Sequence, residues 1–251
     1  MIFNKIATFI INQYPLKFMD WDKIKKSLKK FWHFLWKEDS LLSWIVNIAI
    51  AFVLIKFIIY PGLGLLLGTN LPVVAVISES MDHGMTSKCT KTDALMNKCI
   101  EKKYDLCERY FNNRESVDFD KYWSLCGSWY ENISLSKEEF LTYPLNNGFS
   151  KGDIIVLRGT NYENLQIGEV IVFQSKMNYP IIHRVIKKND FIETKGDHNA
   201  AQIQNSQLNE KYINKDQLIG RAWIKIPFLG YIKIWFTDLL RCVTLNGCKF
   251  S

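Results

Sequence analysis

The sequence predicts a mainly β protein: an N-terminal transmembrane helix, then an antiparallel β domain carrying a small, helical, disulfide-containing insertion. Three observations predict it. Leu41 to Gly68 is apolar, and its first stretch, Leu41 to Tyr60, is long enough to cross a hydrocarbon core, which takes about 20 residues. From Gly148 onward, short apolar or alternating runs recur between turn-forming residues, with no helical pattern between them. Residues 82–142, which separate the two, hold Cys89, Cys99, Cys107 and Cys126 and are rich in Lys, Glu, Asp, Asn, Tyr and Trp.

At 251 residues and 48% hydrophobic, the chain can bury one core and supply one anchor. Its net charge of +7 is unevenly placed. Residues 1–40 carry Lys5, Lys17, Lys23, Lys25, Lys26, Lys29, Lys30 and Lys37 against Asp20, Asp22, Glu38 and Asp39. Trp21, Ile24, Leu28, Phe31, Trp32 and Leu35 recur there at helical spacing, with lysines on the other face. That pattern predicts a basic amphipathic helix on the lipid bilayer, and argues against nucleic acid as a partner. Residues 1–20 combine a short apolar run with no small-residue cleavage site, so a cleaved secretory signal is not expected.

Within the span the only full charge is Lys56, near the far end, where it can snorkel. Pro61-Gly62-Leu63-Gly64 is expected to break or bend the helix. The lysine excess before the span places residues 1–40 in the cytoplasm and everything after about residue 70 outside the cell membrane, in a single pass. Cysteine usage agrees: all six, Cys242 and Cys248 included, fall on the outer side, where disulfides persist. None forms a C-x-x-C pair, which argues against a zinc ribbon or other metal site. The four cysteines of 82–142 allow three pairings, and the sequence does not choose. Asn132-Ile133-Ser134 is a glycosylation sequon on the permitted side. Ser136-x-x-Glu139 reads as a capping box that opens a short helix ending by Pro144.

The expected strands are Ile154–Leu157, Val170–Phe173, Ile181–Ile186, Phe191–Thr194 and Leu218–Ile226. The domains are then 1–40, the anchor 41–68, a catalytic β domain made of 69–81 and 143–235, the insertion 82–142, and a tail 236–251. The tail region is apolar and aromatic but includes Lys233, Asp238 and Arg241, which predicts contact with the membrane surface.

A serine is barely nucleophilic at neutral pH and needs a base within hydrogen-bond reach. Ser78 and Ser80 end the apolar run Val73–Ile77 just beyond the anchor. Of four histidines, His33 is on the cytoplasmic side and His83 and His198 sit in polar turns, whereas His183 interrupts an apolar strand. An acid must hold the imidazole. Asp197, after the Gly196 turn, is the best placed by spacing, with Thr194 opposite His183 if Lys188-Asn189 is a tight turn.

Taken in order, these stretches resemble the boxes of type I signal peptidases. They are Ser78-x-Ser80-Met81 behind an anchor, Gly152-Asp153-Ile154-Ile155-Val156, Gly168-Glu169-Val170-Ile171-Val172-Phe173, Pro180-Ile181-Ile182-His183-Arg184-Val185 and Thr194-Lys195-Gly196-Asp197-x-Asn199. The histidine is that of the archaeal and endoplasmic-reticulum branch; the bacterial enzymes have a lysine there. The resemblance implies Ser80 as nucleophile, His183 as general base, Asp197 as an acid of the last box and Ser78 as an oxyanion donor. It implies secretory preproteins as substrates, cut after small residues, with secretion-machinery or accessory subunits as further partners and no cofactor.

Three features depart from the family pattern. Glu79 stands where glycine is usual. A second aspartate shortly after Asp197 is missing, so either Asp197 orients His183 itself, or Glu210 or Asp216 substitutes, or the enzyme is weak. The insertion 82–142 lies outside the shared boxes and reads as a lid, a recognition module or a docking surface. The sequence therefore predicts a membrane-bound serine endopeptidase that removes signal peptides. The alternatives are an inactive substrate-binding or assembly subunit on the same scaffold and an autocleaving membrane regulator.

Overall fold

The computed structural model describes residues 21–38, 40–93 and 98–231. The expectations for residues 1–20, for the tail 236–251 and for Cys242 and Cys248 lie outside the described residues. The chain divides into two compact units, Met1–Tyr60 and Pro61–Ser251.

The first unit contains α1 (Trp21–Lys37) and most of α2 (Leu41–Leu67). Ser40 caps α2, its hydroxyl accepting the Ser43 N–H at 3.2 Å. A helix end leaves carbonyls without intrahelical partners. Ser43 Oγ and Asn47 Nδ2 supply donors to two of them in α1, Phe34 O at 2.8 Å and Leu35 O at 2.9 Å. Helix α2 is long and apolar enough to cross a membrane, and Trp44, Ile48, Phe52 and Ile58 are exposed along it, as lipid-facing residues would be. Of the break or bend expected at Pro61, the break does not occur. Instead the turn Ile55–Ile59 widens to π geometry just before the proline. Such a turn relieves the clash between the ring and upstream carbonyls, and the helix runs on to Leu67.

In the second unit, β1 (Val73–Ala75) precedes the insertion, which contributes β2 (Thr86–Asp93), β3 (Lys98–Leu106), β4 (Arg109–Phe111), α3 (Phe119–Glu131) and α4 (Lys137–Thr142). There follow β5 (Ile154–Arg158), β6 (Val170–Phe173), β7 (Ile181–Lys188), β8 (Ile192–Lys195) and β9 (Leu218–Ile226). The main sheet is antiparallel in the order β1-β5-β9-β6-β7-β8. The four residues of β6 are all buried because both faces of the sheet are covered there. Val170 and Val172 join one core with Val76, Met81, Ile155 and Leu157; Ile171 and Phe173 join another with Val185, Ile192, Leu208 and Ile213.

The β7–β8 register differs from the tight-turn expectation. Thr194 pairs with Val185 and Lys195 with Arg184, while His183 faces Ile171 of β6. The connection is wider, with Asn189 N–H bonded to Phe191 O, and the ladder is irregular between Val185 and Lys187.

The insertion is helical over its second half, but a three-stranded sheet, β2-β3-β4, precedes the helices. Its strands are mostly exposed and rich in Lys and Thr, so no buried face imposes an apolar alternation on the sequence. Ser136 caps α4 as its motif predicts, accepting the Glu139 N–H at 3.1 Å. The cysteines pair in sequence order: Cys89–Cys99 crosses the β2–β3 hairpin, and Cys107–Cys126 ties the end of β3 to α3. Cys107 and Cys126 are buried with Leu106 and Tyr122 in the insertion's own small core. A small core depends on such cross-links. Replacing Cys107 and Cys126 together with alanine is expected to lower the unfolding free energy by about 3 kcal/mol, read by chemical denaturation.

Candidate active site

The serine turn is fixed from below. The backbone of Val76 bonds both ways across the turn before β5, its N–H to Asp153 O at 2.9 Å and its carbonyl accepting Gly152 N–H at 2.9 Å. Asp82 N–H closes the turn on Glu79 O at 3.0 Å, and Met81 O accepts Phe149 N–H at 3.0 Å. Ser80 is thereby presented to β7. Its Oγ lies 3.0 Å from His183 Nε2 and 3.3 Å from Ser78 Oγ.

Behind the imidazole stands Glu210. Its Oε1 is 2.5 Å from His183 Nδ1 and its Oε2 accepts the Ile203 N–H at 2.5 Å. Thr194 Oγ1 donates to Oε1 at 3.3 Å. Glu210 is fully buried, and its segment is laced to β8 by Thr194 N–H to Glu210 O at 2.9 Å. A carboxylate on Nδ1 fixes the tautomer that carries its proton there, leaving the Nε2 lone pair for the serine hydroxyl. Serine, histidine and glutamate thus form a continuous hydrogen-bonded line, the arrangement that activates a nucleophile.

Asp197 is not in that line. Side chains alternate along a strand, so His183 and Arg184 leave β7 on opposite faces. Asp197 lies on the Arg184 side, accepting Nη2 at 2.7 Å and Nε at 3.0 and 3.2 Å. His83 Nε2 meets the same Oδ2 as Nη2 at 3.0 Å, and Tyr130 O–H donates to Oδ1 at 3.1 Å. The orienting role expected of Asp197 from spacing falls geometrically to Glu210. Asp216, the other alternative, sits in the 3₁₀ turn Lys215–Gln217 and is not a hydrogen-bond partner of His183.

The electrostatics of this second cluster are those of a buried ion pair. Burial favours the neutral acid, but the Arg184 guanidinium and the bond from His83 outweigh it and hold the Asp197 carboxyl well below the usual carboxylate range. Burial also lowers His83 below its ordinary value despite Asp197. Facing an ionised carboxylate, which can only accept, its Nε2 carries the proton and donates. Burial brings the ammonium of Lys195 down to about 8, against the opposing pull of Asp197 and Glu210.

Several of these residues escaped the sequence reading. His83 and His198 are not in solvated turns. His83 stacks on Tyr122 with ring centroids 3.8 Å apart, and the backbone N–H of His198 donates to Ser80 O at 2.9 Å. Arg184 and Lys195 look like solvent-facing strand residues, yet both are fully buried beneath the insertion. The available signal is their position: both alternate with residues of a strand that is buried on its other face. Gly196 has a steric reason. A Cβ there would stand 2.8 Å from Ser80 O and 2.9 Å from His183 Nε2, so only glycine permits this approach.

An apolar cleft of about 190 Å³ opens onto Ser78, Ser80 and His183, walled by Val74, Val76, Tyr179, Ile182 and Leu208. It runs along β1, which among the described residues pairs only with β5 and has no strand on its other edge. Glu79 is exposed and outside this cleft. No group of three or more His, Cys, Asp or Glu among the described residues could hold a metal ion.

Replacing Asp197 with Asn leaves Arg184 buried without its counter-charge and is expected to cost about 3–5 kcal/mol of stability at neutral pH. Because the folded-state pKa is depressed, this contribution is complete above the unfolded value near 4 and is lost as pH falls below it. Denaturation at a series of pH values should show the gap between wild type and Asp197→Asn narrowing below about pH 4.

No family model matches the chain. Over 107 residues it is 35% identical to the signal peptidase complex catalytic subunit of Saccharomyces cerevisiae, equally in strains YJM789, RM11-1a and JAY291. The match covers 39% of this chain and 64% of the yeast protein, so the chain spans less than two thirds of the length of these relatives. This homology, together with the pairing of Ser80 and His183, supports a type I signal peptidase-like family of the serine–histidine kind.

Proposed function

We propose that the protein is a membrane-bound serine endopeptidase that cleaves N-terminal signal peptides from secreted and membrane preproteins. The observation that carries this reading is the unbroken line from Ser80 Oγ through His183 to the buried Glu210 carboxylate. Ser80 attacks the scissile carbonyl while His183 Nε2 takes its proton and then passes it to the leaving amine. Glu210 stabilises the imidazolium that forms between those steps. The Ser78 hydroxyl, 3.3 Å from Ser80 Oγ, and the backbone N–H of Ser80 are the donors for the oxyanion.

The free edge of β1 accepts an extended substrate as an added strand, and the narrow cleft beside it takes small side chains. In this reading helix α2 is the anchor, crossing once, and the lysines that precede it favour a cytoplasmic N-terminus with the peptidase domain on the outer face. Two disulfides after the anchor fit an oxidising outer compartment. The yeast relative is named as a subunit of a complex, which favours accessory subunits here as well. An inactive assembly subunit on the same scaffold rests on the missing second aspartate and the cysteine-bearing insertion; it is less favoured because Glu210 lies against His183 where that aspartate is missing.

Ser80→Ala is expected to abolish preprotein processing by the purified full chain while membrane insertion is retained; continued cleavage would exclude Ser80 as nucleophile. Glu210→Gln should keep the geometry but lose the correct tautomer, lowering kcat by about four orders of magnitude. The same assay with Glu210→Gln near wild-type rate would remove Glu210 from the mechanism.

A further inference from the structure

The insertion 82–142 interrupts the chain between the nucleophile turn and β5, and several of its side chains meet Asp197 in the loop after β8. From α3, Tyr122 O–H donates to the backbone carbonyl of Asp197 at 2.9 Å and Tyr130 O–H donates to its Oδ1 at 3.1 Å. His83, at the start of the insertion, bonds Oδ2 at 3.0 Å with its ring parallel to that of Tyr122. Tyr122, Tyr130 and Asp197 have no exposed surface. Burial and the charge of Asp197 hold both phenols well above their ordinary pKa, so they remain donors throughout the working range.

The same face carries further contacts. Phe140 of α4 lies under the Arg184 guanidinium, 4.8 Å from ring centroid to Cζ. The rings of Trp129 and Tyr130 lie 5.2 and 4.6 Å from Lys195 Nζ, which itself donates to Gly196 O at 3.0 Å. The insertion therefore covers the face of β7 and β8 that points away from His183.

The held loop touches the chemistry on its other side. His198 N–H bonds Ser80 O at 2.9 Å, His198 Nδ1 meets Asp82 O at 2.8 Å, and Asp197 N–H points to Met81 Sδ at 3.4 Å. Gly196 has no room for a Cβ between Ser80 O and His183 Nε2. A displacement of Asp197 is thus passed to the carbonyl of the nucleophile and to the rim of the base.

We propose that the insertion is a built-in positioning element: Tyr122, Tyr130 and His83 fix Asp197, and the loop Gly196–His198 then holds Ser80 in line with His183. This inference rests on the peptidase reading above. These residues touch no substrate and act through the loop. Their loss affects the alignment of the reacting groups rather than the cleft that binds the preprotein. Misplacement on the ångström scale costs up to about a hundred-fold in rate.

The test compares wild type with the double variant Tyr122→Phe/Tyr130→Phe, which deletes two buried hydroxyls and leaves the rings packed. The full-length protein is assayed in lipid vesicles on a purified preprotein with small residues at the first and third positions before the cut. Alongside, the thermal midpoint and kcat and KM are measured separately. The expected result is a ten- to hundred-fold fall in kcat with KM within about two-fold of wild type. Unchanged kcat, or a fall in kcat no larger than the unfolded fraction at the assay temperature accounts for, overturns the positioning role. Should the double variant not fold, Tyr130→Phe alone is read against the same outcomes, with about a ten-fold fall in kcat expected. Wild-type cleavage that depends on Ser80 but ignores both tyrosines rejects this inference and keeps the peptidase reading. A wild-type protein that cleaves no preprotein rejects both.

Discussion

The buried ion pair between Arg184 and Asp197 is the constraint on which the rest of the β domain depends. Both residues are fully buried, so each charge requires the other and further hydrogen bonds to offset its desolvation. Arg184 meets this by spanning three segments at once: Asp197, the carbonyl of Gly168 at 2.8 Å, and the carbonyls of Pro144 and Leu145 at 2.9 Å each. One guanidinium thereby joins the exit of the insertion, the turn before β6 and the loop after β8. Its planar set of donors can do this, where a lysine could not.

From this follows a division of labour between two carboxylates. Strand alternation sends His183 to one side of β7 and Arg184 to the other, and each finds its own acid. On the His183 side, Glu210 lies against the imidazole; on the Arg184 side, Asp197 holds the scaffold. Perturbed titratable groups cluster at functional sites, but the depressed carboxyl of Asp197 belongs here to the scaffold. Geometry, not the size of a shift, separates the two roles.

Much of this was legible in the sequence, and what was not has physical reasons. The five strands, the apolar span and the Ser136 cap follow from local periodicity and capping chemistry. The Ser80–His183 pair is recognisable because a histidine inside an apolar strand is unusual. The choice of acid was not legible, because spacing along β8 does not tell where the chain goes after Gly196, and alternation leaves Asp197 on the Arg184 side. Glu210 reaches His183 only because the segment after Gly196 folds back along β8, pairing Ile192 with Ile213. The helix through Pro61 depends on a π turn that no residue pattern announces. The roles of His83, Arg184 and Lys195 depend on burial by an insertion whose docking face is aromatic rather than periodic.

The central claim is that His183 is energetically coupled to Glu210 and not to Asp197. Double-mutant cycles on unfolding free energy measure this directly, using His183→Ala with Glu210→Gln and His183→Ala with Asp197→Asn. The account predicts a coupling of about 1–3 kcal/mol for the first pair and one within about 0.5 kcal/mol of zero for the second. The reverse pattern would contradict it.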